Sequence, residues 1–387
     1  VWHWFAALVL LGSCRTGVFS GEARDKEDLS KSLPPKVAKA WRDAGARVGW
    51  IRFETVPWMR ADCAGQFING DKPPVGRLPA FAYGVKQPHV KILPPWKRGE
   101  LEKLPDPGVA FALDLSGTAV DDAGLKELAH FKSMRLLNLN FAKSVTDSGM
   151  KELAGLTNLE CLGLGIRTHV TNAGLKELVT LTRLRRLSLS DNDVTDAGIK
   201  HLAGLRNLQC LDLRGTSITD AALKVLRGLT SLQVLAIGGG AFERTSAITD
   251  AGLKDLAGLR NLEELNLNNS KVTGAGLKEL AGLKGLRKLN LDSTNVFDEG
   301  LKHLSGHRRL QWLFLQRTKI SDAGLKELAA VKELQGLDLR ETDITDGGLM
   351  HLAQHKSLRR LELFSTKVTR QGVATLRKRL PQCQIDQ

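Results

Sequence analysis

Residues 248–271 read I-T-D-A-G-L-K-D-L-A-G-L-R-N-L-E-E-L-N-L-N-N-S-K, and the same stretch recurs to the end of the chain. Copies open at Val120, Val145, Val170, Val194, Ile218, Ile248, Val272, Val296, Ile320, Ile344 and Val368. These are ten full repeats and a truncated eleventh, mostly spaced by 24 residues, with two spacings of 25 and one of 30. A fixed period of this length means a solenoid, because one unit cannot bury its apolar face without the next.

Each copy carries two periodicities. Leu277, Leu280, Ala281 and Leu283 fall on one stripe of a short helix. Leu286, Leu289 and Leu291 then switch to the period of a strand. The Thr-Asp ahead of the helix supplies a capping side chain and sets a carboxylate at the positive end of the helix dipole. So short a unit leaves room only for a tight coil, which stacks its strands in parallel. Strands ~4.8 Å apart against helices ~8–10 Å apart force the stack to curve with the strands inside. The expected fold is therefore α/β: a curved parallel sheet on the concave side and helices on the convex side. Two residues before each opening Val or Ile stands a small hydroxyl or amide, as in Thr118, Asn192, Ser270 and Thr342, with Lys143 the exception. Such groups suit backbone left unpaired where the chain leaves the strand, which is a structural role.

The pattern L-x-x-L-x-L-x-x-[TN] is the leucine-rich-repeat core. The [VI]-T-D-A-G-L-K-E-L-A-G-L variant resembles the multi-copy bacterial members of that family and is similar to the repeats of eukaryotic F-box substrate adaptors. This resemblance covers about 270 residues. It implies a horseshoe or arc with protein binding as its usual role, and it does not identify the partner.

Three regions are expected: residues 1–20, residues 21–108 and the solenoid at 109–387. Phe5 to Leu11 is an apolar run too short to span a bilayer but of the size of a signal-peptide core. Val18-Phe19-Ser20 offers a cleavage site before Gly21, and Leu11-Gly12-Ser13-Cys14 resembles a lipobox that would lipidate Cys14. No Lys or Arg precedes the run, so a cytoplasmic N-terminal element is the alternative to export. Membrane attachment is expected only through a lipidated Cys14. Residues 33–108 hold eleven of the twelve prolines and four of the seven tryptophans. That aromatic density suits a packed module, and an open solenoid end needs one. A helix is expected over Pro35–Ala44, a strand over Ala46–Glu54, and a second strand or extended segment over Leu78–Tyr83. The module would cap the first repeat strand. No F-box helical pattern occurs in it, which disfavours the adaptor analogy.

The net charge of +14 is spread along the chain, much of it in a repeated Lys on the outer helices, such as Lys254 and Lys278. A solvated helix face accounts for it, so nucleic acid is not favoured as a partner. Cys161 and Cys210 occupy one strand position two repeats apart, ~10 Å by strand spacing and beyond disulfide reach. No motif for catalysis or phosphate binding is present. His303/His307 and His351/His355 are each spaced i, i+4, but the pairs lie two repeats apart and cannot share a metal. His307 and His355 replace a repeat Leu and are expected to be half-buried and structural. No catalytic residue, cofactor or metal is assigned, and a monomer is expected.

The x positions of L-x-L point to the concave face. The last repeats concentrate Trp312, Phe314, Asp338, Arg340, Arg360 and Phe364 there, and exposed aromatics with Arg are the usual interface anchors. The alternative is that Trp312 and Phe314 pack on each other or on the terminal turn. The 30-residue spacing places six extra residues after Gly238, where Phe242 and Arg244 are second candidates. The expected function is a non-enzymatic scaffold binding an unknown protein partner through the concave face. A basic scaffold for an anionic polymer and an enzyme housed in residues 33–108 are the alternatives.

Overall fold

A computed structural model of the chain describes residues 34–44, 46–52, 66–69, 77–82, 97–241 and 244–387. Residues 1–20, expected to be an export signal, with Cys14 among them, and Phe242 lie outside the described residues.

The helix α1 (Pro35–Asp43) is followed by β1 (Arg47–Arg52), β2 (Gln66–Asn69) and β3 (Arg77–Ala82). The array then supplies β4 (Phe111–Asp114), β5 (Met134–Asn138), β6 (Cys161–Gly163), β7 (Arg186–Ser188), β8 (Cys210–Asp212) and β9 (Val234–Ala236). It continues with β10 (Glu264–Asn266), β11 (Lys288–Asn290), β12 (Trp312–Phe314), β13 (Gly336–Asp338), β14 (Arg360–Glu362) and β15 (Gln384–Asp386). All join one sheet in the order β15 through β3 in sequence, ending β3-β1-β2. From β3 to β15 neighbours are parallel, while β1 runs antiparallel to β2 and β3.

Register is constant along the array: Leu265 faces Leu289, which faces Leu313. These central leucines are buried, as are the helix leucines behind them, so every repeat adds a layer to one continuous core. A buried Leu contributes ~2 kcal/mol of transfer free energy, which no isolated unit could collect.

At the N-terminal end, β3 pairs with β4 through Ala80–Ala112 and Phe81–Leu113. Trp41 from α1 is fully buried and packs on Phe111 and Phe131, with ring centroids 6.2 and 5.3 Å away. Its indole donates to the Pro105 carbonyl at 3.2 Å, and Glu127 accepts from the Gly99 and Leu101 amides. An aromatic seal thus covers the first repeat. The strand β2 was not expected from the sequence.

The convex elements differ from the expected α-helices. Gly274–Gly282 and Asp298–Leu304 are 3-10 throughout, and Lys200–Leu202 and Lys254–Leu256 finish α turns as 3-10. A 24-residue coil has too little length for longer helices, and the tighter winding reaches the next strand in fewer residues.

The Thr-Asp pair divides its work in a way the sequence reading did not separate. Thr caps its own helix: Thr249 accepts from the Ala251 amide at 3.2 Å. Asp, the first helical residue, reaches into the next repeat. Asp250 accepts from the Thr273 amide at 2.8 Å and from its hydroxyl at 2.6 Å. The same two bonds join Asp122 to Thr146, Asp220 to Thr249 and Asp322 to Thr345. The repeated Gly makes room for this link, since a Cβ on Gly348 would stand 2.2 Å from Asp322 Oδ1. At one joint Asn172 stands for the Asp, accepting from the Thr195 amide and donating to its hydroxyl, both at 2.9 Å, and a second joint lacks the link. Gly274 replaces the Asp and Phe297 the Thr, and there the backbones of Gly274 and Gly300 come into direct contact.

Candidate functional site

The concave face is lined by the first and third residues of each strand. Much of it is occupied by its own backbone. Asn266, Asn290 and Asp338 are buried, and each accepts from the amide two residues on, at 2.9, 2.7 and 3.0 Å. These side chains turn the chain out of its strand, so the third position is largely structural.

The last strands are different. Trp312 and Phe314 on β12 stack on each other, with centroids 6.3 Å apart and planes 14° from parallel. Both remain half-buried. Trp312 lies across Gly336 of β13: a Cβ there would be 2.1 Å from Trp312 Cε3. Glycine at this one position lets the indole lie down on the sheet. The two rings therefore do pack together, and each stays partly open to solvent.

Charged side chains surround this platform in pairs. Arg340 grips Asp338 with Nε and Nη2 at 2.9 and 2.5 Å, and the pairing holds the guanidinium above its usual range. Arg360 bonds Glu362 at 2.6 Å and approaches Asp386 at 3.7 Å. Lys288 meets Glu264 at 2.7 Å. Asp338 is thus a buried post that orients Arg340, while Phe364, one strand further on, stands 56% exposed. Trp312, Phe314, Arg340, Arg360 and Phe364 come together on β12–β14 and the turns after them.

Two carboxylates beside the platform were not singled out from the sequence. Glu341 accepts from Arg317 Nε at 2.6 Å and Gln316 Nε2 at 2.8 Å, and the Arg317 bond holds its carboxyl below the usual range. Asp292, half-buried, accepts from the Gln316 amide at 2.8 Å. Burial, and then the charge of Asp338, push its carboxyl up to about 7. Nothing in the repeat pattern distinguishes Asp292 from the Asn, Arg and Gln at equivalent positions, because its environment comes from three neighbouring strands.

The second candidate region is the insertion. It folds back along the edge of the sheet. Asp191 accepts from the Ala241 amide at 3.1 Å, and Arg244 reaches Asp193 and the Gly215 carbonyl, both at 3.2 Å. Arg244 is therefore held within the chain, with its guanidinium at the turn after β8, four strands or about 19 Å from Trp312.

The family model described as leucine rich repeat matches residues 182–239, and a second so described matches residues 112–129 and 258–281. Among solved structures, an internalin of Listeria monocytogenes aligns with a TM-score of 0.51 and 19% identity, over 74% of this chain and 87% of its own. The array is a leucine-rich-repeat solenoid. Internalin C2 of Listeria monocytogenes aligns at 25% identity over 62% of this chain and 91% of its own, with a TM-score of 0.43. Comparison with curated proteins gives no match.

In this leucine-rich-repeat solenoid the paired histidines do not share a face. His303 and His351 are partly exposed, whereas His307 and His355 are fully buried in place of the repeat Leu, not half-buried as expected. Each takes the full Leu site because the core is continuous there. Desolvation holds both imidazoles below their usual range. His307 Nε2 lies 3.0 Å from the Leu280 carbonyl, so the neutral ring donates there. Among the described residues no group of three or more potential ligands could hold a metal. Cys161, Cys210 and Cys383 are free, and burial pushes the Cys210 thiol up to about 12.

Proposed function

We propose that the protein is a non-enzymatic interaction scaffold that binds a protein partner through the concave face of its last repeats. The observation that carries this reading is the stacked Trp312–Phe314 pair. The leucines beneath it already close the core, so packing does not require an aromatic at either position. Large rings left half-open, ringed by paired charges, have the make-up of an interface anchor. Phe364 and Arg360 extend the surface to the terminal strands.

The competing reading, a scaffold for an anionic polymer, has less support. Arg340 and Arg360, the arginines of the terminal strands and their turns, are each engaged by a carboxylate, which leaves their charge compensated. An adaptor role by analogy with F-box proteins is also less supported, since residues 35–82 hold one helix and three strands among their described residues. We place the protein outside the cytoplasm on the strength of residues 1–20, and N-terminal sequencing of the native protein tests that.

The test of the binding face is the double variant Trp312→Ser/Phe314→Ser. A pull-down from the native host should lose its captured partner, while the melting temperature stays within a few degrees of wild type. Partner capture at wild-type level would rule out this face.

A further inference from the structure

Resting on that reading, the platform can be taken one step further, to the chemistry of the group it receives. The charges of the terminal strands balance locally with one exception. Lys288 is matched by Glu264, Arg340 by Asp338 and Arg360 by Glu362. Asp292 has no cation within ion-pair distance among the described residues; its carboxyl is hydrogen-bonded by the Gln316 amide and by the Asn290 side chain, both neutral. The Gln316 amide is two residues beyond Phe314, which sets the carboxylate at the end of β12 that carries Phe314. We propose that the partner presents a Lys or Arg side chain that lies over Trp312 and Phe314 and pairs with Asp292.

Three observations converge on a cation. Trp312 and Phe314 are half-buried rings with planes 14° apart, and the face of an aromatic ring attracts cations and does not attract carboxylates. Arg340 is close enough to act on Asp292, but its guanidinium fork is committed to Asp338. Asp292 is held by neutral donors only, the Gln316 amide and the Asn290 side chain, and burial followed by the charge of Asp338 raises its carboxyl. A side chain with an apolar stem and a charged tip meets both needs. Its stem covers the rings and its tip supplies the missing charge. An acidic or neutral polar group would satisfy the rings at most.

The experiment uses the full chain at pH 8, where Asp292 is ionised. N-acetyl-arginine amide and its neutral analogue N-acetyl-citrulline amide are titrated while the Trp312 indole N–H resonance is followed, identified by its loss in Trp312→Phe. The arginine probe should shift the resonance saturably and bind at least about fivefold tighter than the citrulline probe. Asp292→Asn should bring the two probes to within about twofold, and Asp292→Glu should retain a preference for arginine. Equal binding of the two probes, an arginine preference that survives Asp292→Asn, or an indole that neither probe moves would each overturn the proposal. If Trp312→Ser/Phe314→Ser still loses the partner in those cases, the binding face stands and only its choice of cation is wrong. If that variant keeps the partner, the face itself is wrong.

Discussion

Cutting one Asp–Thr link between repeats should cost more than its position on the outer edge suggests. Asp322 accepts from the Thr345 amide at 2.8 Å and from its hydroxyl at 2.6 Å. Both bonds end on a charged oxygen and are partly buried. Taking ~1–1.5 kcal/mol for each after solvent competition, Asp322→Ala should lose about 2–3 kcal/mol. Thr345→Ala removes only the hydroxyl bond and the 3.2 Å cap on the Gly347 amide, for about 1–2 kcal/mol. The double variant should then show a coupling of about 1 kcal/mol, the share of the one bond that both substitutions delete. Denaturant midpoints give the energies, and hydrogen exchange at the Thr345 amide reports the joint locally. A loss below about 0.5 kcal/mol, with Thr345 exchange unchanged, would refute the link as a source of cohesion between repeats.

Three further outcomes are expected. His307 and His355 are held neutral by burial, so the unfolded chain binds more protons below pH 6.5. Stability should be complete above that value and fall as pH drops through the lowered folded-state range; His307→Leu/His355→Leu should flatten this acid limb in denaturation series. Asp292 has the opposite sign. Its folded carboxyl titrates at about 7 against 3.8 unfolded, so its contribution is complete below pH 3.8 and lost as pH rises through 7. Asp292→Asn should therefore gain roughly 1–2 kcal/mol at pH 8, discounted for partial solvent access, and almost nothing at pH 4. Gly336→Ala puts a Cβ 2.1 Å from Trp312 Cε3 and should lift the indole off the sheet, changing the near-ultraviolet circular dichroism and weakening partner binding at least about tenfold. An unaltered spectrum would show that the ring is not seated on this glycine.

The array was legible from residues 248–271 because a solenoid is built from contacts between equivalent positions. Knowing one repeat gives the neighbours of all. That is why the buried leucines, the hydroxyl ladder exemplified by Thr342 donating to the Leu339 carbonyl at 2.6 Å, and the concave placement of Trp312 and Phe314 could be read directly. The Asp–Thr link is not legible in the sequence, because capping within a helix and bonding across repeats call for the same residue types. The strand β2 was missed because it pairs with β1 across residues of no shared period.

Sequence alone determined the period, the parallel sheet, the core and the face on which a partner is proposed to bind, since each follows from a repeated apolar pattern with one low-energy stacking. Tertiary structure decided what that face is made of. It committed Asp338 to Arg340, laid Trp312 on Gly336 against Phe314, and left Asp292 half-buried with no cation within ion-pair distance among the described residues. Those features depend on three strands at once. A charge is paired or unpaired only by what stands ~5–10 Å away on neighbouring strands, and a linear pattern does not record that distance.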